Sequence, residues 1–135
     1  MNFPGKLPRR LWRFPTWAAR ESLAARFALP LDEGDQDWEW THSRPEQLDE
    51  YLAAYQGGEL SDDERFTLTE MMVQCVENEA DESQRAEVLR LIEANIELHL
   101  QTVWYWACLD ADLEDSWEIA PTMRAIWEQH RALWE

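Results

Sequence analysis

Residues 84–109 read QRAEVLRLIEANIELHLQTVWYWACL, and this stretch decides the fold class. Leu89, Ile92, Ile96, His99, Val103 and Trp106 recur at spacings of three and four, the repeat of one helix face. A second line of Val88, Leu91, Leu98, Tyr105 and Leu109 widens the apolar surface beyond one narrow seam. A helix this broadly apolar belongs at a centre, with neighbours on more than one side. The pattern predicts an all-α domain of about five helices packed around a central long helix at roughly 84–109.

The flanking segments supply the neighbours. Asp81 or Ser83 opens the long helix. Upstream, Ser61-Asp62-Asp63-Glu64 is a capping box, and its acids suit the positive end of a helix dipole. The helix it opens carries Phe66, Leu68, Met72, Val73, Cys75 and Val76, and fades in the polar run 77–82. Ser43-Arg44-Pro45-Glu46 reads as a second capping box, followed by Leu48, Tyr51, Leu52 and Tyr55. Gly57-Gly58 stops that helix, because glycine takes the left-handed cap without steric cost. Thr16 caps a helix to about Ala28, with Trp17, Leu23, Ala24 and Phe27 toward the core, and Pro30 ends it.

Residues 31–42 mix acids, Gly34 and two tryptophans, and read as a loop. Downstream of the long helix, Asp110, Asp112, Glu114 and Asp115 suit the start of a helix better than its end. A turn is expected there, another at 116–119, and a last helix from about Pro121 with Met123, Ile126, Trp127, His130, Leu133 and Trp134. No segment alternates with period two, so no strand is expected. Residues 1–15 carry Pro4, Pro8 and Pro15 and form a Pro-rich, non-helical arm.

The chain has 135 residues, which suits one domain spanning 1–135, since single cores run to roughly 100–200 residues. Hydrophobic residues make up 45%, too many for a disordered acidic tail. The formal net charge is −16 and it is unevenly spread. Residues 1–30 hold six basic residues and one acid, while residues 31–135 hold six basic residues and 27 acids. A body this negative repels nucleic acid and anionic lipid. The arm is basic and aromatic (Arg9, Arg10, Trp12, Arg13, Phe14), and its expected role is to lie across the acidic body and cover apolar surface.

No stretch approaches the ~18 apolar residues of a membrane span, and no apolar region follows the N-terminal basic residues. The expected location is cytoplasmic. Cys75 and Cys108 lie far apart and outside any CxxC, so they read as small buried hydrophobes.

Signatures of catalysis and of cofactor binding are missing. The chain has four glycines and no phosphate loop. No nucleophile-elbow sequence is present. A di-metal bundle site needs Glu-x-x-His on facing helices, and the single match, Glu39 to His42, falls in the expected loop. The acids at 32–39 fail the spacing of a calcium loop. No metal or cofactor is expected.

Two places remain. His99, with Asn95 and Thr102 one turn away, could form a small polar pocket, and a small enzyme or ligand-binding protein is the function that this would suit. Asp35, Asp37, Trp38, Glu39 and Trp40 alternate acids with tryptophan. Tryptophan is common at binding hot spots, and acids around it steer toward a basic partner. The bland readings are a hydrogen-bonded core histidine and two indoles that plug gaps between helices.

Asp37-Trp38-Glu39-Trp40, Ser61 to Leu68 and Thr102-Val103-Trp104-Tyr105-Trp106 resemble a group of small, acidic, tryptophan-rich bacterial proteins of unsettled function. In size, acidity and its nine tryptophans the chain is also similar in type to immunity proteins of bacterial toxin systems. That similarity implies a non-enzymatic inhibitor that binds a basic toxin. A homo-oligomeric housekeeping protein of unknown role, for instance a homodimer, is the remaining alternative.

Overall fold

The structure is a computed structural model that describes residues 7–78 and 81–135. The described residues form eight α-helices and no strand, so the chain is all-α. They are α1 (Trp17–Phe27), α2 (Trp38–Thr41), α3 (Leu48–Gln56), α4 (Asp62–Asn78), α5 (Glu82–Ala94), α6 (Ile96–Ala107), α7 (Ala120–Gln129) and α8 (Arg131–Trp134). None of the described helices is long and apolar enough to cross a membrane.

The expected long helix at 84–109 is two helices, α5 and α6, broken at Asn95. Asn95 sits at φ −129°, ψ 43°, outside helical geometry. Asparagine competes for backbone partners and is a poor residue for a helix interior. The apolar spacing runs unbroken through the joint, so side-chain periodicity alone cannot reveal the break.

The chain's contacts divide it into two compact units, one of 7–13 with Ile92–Glu135 and one of Phe14–Leu91. In the unit Phe14–Leu91, α4 is the centre and packs against α1, α2 and α3. Every residue from Phe66 to Val73 is buried, Thr67, Thr69 and Glu70 included. A helix buried on all sides is normally apolar all round. Here the Thr67 hydroxyl donates to the Asp63 carbonyl at 2.8 Å, which lets threonine sit inside.

The caps show why these helices start where they do. Ala19 N–H donates to the Thr16 hydroxyl at 3.1 Å. Ser61 and Glu64 form the expected reciprocal box at 3.0 and 3.1 Å. Asp81, not Ser83, opens α5, accepting from Gln84 N–H at 2.7 Å. The expected box at Ser43 does not form. A 3-10 turn at Pro45–Gln47 replaces the first helical turn, and the Ser43 hydroxyl donates backward to the Trp40 carbonyl at 3.1 Å.

In the other unit, α6 and α7 form the main pair. Leu100, Val103, Trp106 and Ala107 of α6 and Ala120, Met123, Ile126 and Trp127 of α7 are buried. Trp134 of α8 stacks on Trp127 with ring centroids 4.5 Å apart, and its indole donates to the Trp127 carbonyl at 2.8 Å. The first six residues of the expected arm, with Phe3, Pro4 and Lys6, lie outside the described residues. Within 7–15 the aromatic residues Trp12 and Phe14 are exposed. Leu7 is buried, Arg9–Leu11 forms a 3-10 turn against α6, and Arg10 donates to the Leu133 carbonyl.

Candidate functional site

The sequence singled out two places, and the structure buries residues of both. Trp38 and Trp40 do not lie in a loop, since residues 38–41 form α2. Asp37 begins it, and its carbonyl accepts from Trp40 and Thr41 N–H at 3.0 and 2.9 Å. Two residues two apart on a helix point different ways. Trp38 is fully buried, and its indole donates to the Pro30 carbonyl at 2.6 Å. Trp40 is half-buried, and its indole donates to Glu70 Oε2 at 3.2 Å. As folded, Trp38 offers no surface to a partner.

Glu39 is also buried, and Arg20 of α1 holds it. The guanidinium donates to Glu39 Oε1 through Nε at 3.0 Å and Nη2 at 2.8 Å. It also donates to the Asp35 and Gln36 carbonyls at 3.1 and 2.8 Å. Asp35 Oδ2 accepts from Asp32 N–H at 3.0 Å and lies 3.5 Å from His42 Nε2. This network ties α1, the 32–37 loop, α2 and α4 into one unit. Of the five expected contact residues, Trp38 and Glu39 are core, Asp35 and Trp40 are half-buried, and Asp37 alone is exposed.

His99 and Thr102 are fully buried on α6. Asn95 lies at the break before α6, in its N-cap position. An open depression of about 380 Å³ is lined by Ala94, Asn95, Ile96, Glu97 and Leu98. It takes in Asn95 but neither His99 nor Thr102.

A third place was not singled out. The Asp110–Asp115 acids do not cap α7, which begins five residues later at Ala120 behind Ile119. They lie instead on a loop over residues 108–119. Cys108 ends α6 in the left-handed region at φ 48°. Arg124 of α7 reaches under the loop and holds it by its backbone. Its guanidinium donates to the Ala107 carbonyl at 2.7 Å, the Ala111 carbonyl at 2.6 Å and the Cys108 carbonyl. A 3-10 turn at Leu113–Asp115 is closed by Asp115 N–H to the Asp112 carbonyl at 3.0 Å and the Ser116 hydroxyl to the Leu113 carbonyl at 2.9 Å.

This fixed loop displays unusual side chains. Leu113 is 51% exposed and Trp117 is 40% exposed. Trp117 and the exposed Tyr105 both flank the buried Trp106 ring, at centroid distances of 5.1 and 5.7 Å. Around them Asp110, Asp112, Glu114, Asp115 and Glu118 are all exposed. The carboxylates of Asp112, Glu114 and Asp115 come within 4.8 Å of one another. Among the described residues none of these three, nor Asp110, forms an ion pair. The sequence did hold a signal for this place. From 91 to 123 there are seven acids and no Lys or Arg, and Arg124 is the first base after that run.

Comparison of the chain with protein-family models, with curated proteins and with solved structures gives no match.

Proposed function

We propose that the chain is a non-enzymatic binding protein whose partner is a basic protein. The observation that carries this reading is the unbalanced surface charge. The described basic side chains are largely engaged within the fold. Arg20 pairs with Glu39, Arg65 with Asp62, Arg90 with Glu87 and Arg131 with Glu128. Arg10, Arg85 and Arg124 donate to backbone carbonyls. Those bonds leave most of the acidic excess facing outward, since Glu39 and Glu70 are the buried acids among the described residues. A surface of one sign raises the encounter rate with the opposite sign and repels its own. An immunity-type inhibitor of a basic toxin is one protein of this kind.

The test is recovery of the tagged full chain from its own cells, followed by kinetics with the purified partner. The partner should carry excess Lys and Arg. Its association rate should fall by about tenfold or more as salt rises past the point where the Debye length drops to about 3 Å. A salt-independent rate, or recovery of the chain paired only with itself, would refute the proposal.

A further inference from the structure

We infer that Leu113 and Trp117, on the acidic loop clamped by Arg124, together with Tyr105 of α6 on the other side of Trp106, are the docking surface for an apolar anchor set among Arg and Lys on a basic protein. This inference rests on the binding reading above and gives it an address. An exposed leucine and two exposed aromatic rings are costly to leave in water, and aromatic residues at the middle of a polar rim are the composition of interface cores. The rim carries the exposed Asp110, Asp112, Glu114 and Asp115. Like charges within 4.8 Å of one another repel, and among the described residues no ion pair brings a cation to Asp112, Glu114 or Asp115. A guanidinium or ammonium from outside relieves that repulsion, while an acidic or neutral partner does not. This charge pattern selects a basic protein over a second copy of an acidic chain.

The backbone is also prepared for binding. Arg124 fixes residues 107–111 through three carbonyls, and the Ser116 hydroxyl and the Asp115 N–H close the turn that carries Leu113. A loop ordered before binding loses less entropy on binding. The guanidinium points its donors at carbonyls, so it leaves the outer carboxylates unneutralised.

The experiment titrates the full chain at low salt with two synthetic peptides of equal positive charge. One carries Leu at helical spacing among Arg and Lys, and the other carries Ser in place of each Leu. The wild type should prefer the Leu peptide by roughly tenfold or more, the return for burying one leucine. Leu113→Ser and Trp117→Ala should each remove most of that preference, while Asp112→Asn with Asp115→Asn should weaken both peptides alike. Trp117 touches the buried Trp106, so Leu113→Ser in a half-exposed turn is the variant that keeps the test independent of folding. Full preference retained by Leu113→Ser would overturn the assignment of this surface and leave the binding reading standing. Equal affinity of the wild type for both peptides would also overturn the assignment. Failure of both peptides to bind would sink the binding reading itself. Self-association of the wild type that Leu113→Ser abolishes would make a second copy the occupant, and would overturn the choice of a basic partner.

Discussion

Replacing Arg20 with methionine keeps the length of the side chain and removes its charge. Glu39 would then hold a carboxylate only 4% exposed with no cation beside it, in a site where the arginine itself is 13% exposed. Breaking a buried pair from one side costs about 3–5 kcal/mol, because the remaining charge has lost both partner and water. The Asp35 and Gln36 carbonyls also lose a donor, and at the exposed Gln36 carbonyl water can replace it. A loss of about 3–4 kcal/mol is therefore expected for Arg20→Met. A chain of this length loses roughly 3–5 °C of melting temperature per kcal/mol, so Tm should fall by about 10–20 °C. Glu39→Gln keeps an acceptor facing a guanidinium that retains its two carbonyls, and should cost about 1 kcal/mol. Arg20→Met with Glu39→Met replaces both charges by apolar groups of similar size. It should recover most of the single variant's loss, since apolar replacement of a whole buried pair is often neutral. The assay is urea denaturation at neutral pH followed by tryptophan fluorescence, for which Trp38 is a buried reporter beside the network. An Arg20→Met loss below about 1 kcal/mol, or a double variant less stable than Arg20→Met, would refute the account of Glu39 as a carboxylate that depends on Arg20.

Two further outcomes follow from single positions. Burial pushes the Cys75 thiol from 9.0 up to about 12, against a hydrogen bond with Ser43 that lowers it, and burial likewise raises Tyr51 from 10.0 to about 12. Both groups stay protonated in the folded chain while the unfolded chain releases its protons, so their contribution is complete below about pH 8.5 and is lost as pH rises toward about 12. Burial raises Tyr55 as well, so the share of Cys75 is isolated by substituting that residue alone. Stability measured from pH 8 to pH 11 should fall less steeply for Cys75→Ala than for the wild type, and equal slopes would contradict the burial argument. Ala28 closes α1 in the left-handed region at φ 55°, ψ 47°. Relief of that conformation by Ala28→Gly is worth about 1–2 kcal/mol, offset by about 0.4–1 kcal/mol of added freedom in the unfolded chain. The net gain should be about 0.5–1 kcal/mol, visible as a raised Tm, and a lowered Tm would contradict it.

The helical class was legible because apolar spacing and caps agree at Thr16, Ser61 and Asp81. The arrangement was less so, for reasons that lie in particular residues. Thr67 and Glu70 are polar yet buried on α4, the first bonded to the Asp63 carbonyl and the second to the Trp40 indole, and no hydropathy pattern encodes such bonds. The apolar spacing through Asn95 made one helix of two, because side chains can hold their register across a break that only the backbone feels.

The candidate surface turns on the same distinction. Tryptophan beside acids is a partner signal only when the ring faces water, and burial is decided by long-range packing. Trp38-Glu39-Trp40 and Leu113-Glu114-Asp115-Ser116-Trp117 carry similar compositions. In the first, Arg20 reaches from nineteen residues away to neutralise Glu39, and so permits the acid and Trp38 to be buried together. In the second, the nearby base is Arg124, which spends its donors on the carbonyls of Ala107, Cys108 and Ala111 and leaves the carboxylates outside. What an arginine is bonded to therefore decides which acidic, tryptophan-bearing segment becomes core and which keeps its charge at the surface. An arginine bonded to carboxylate lets the segment sink, whereas one bonded to backbone carbonyls holds the loop in place with its charge and its rings still exposed.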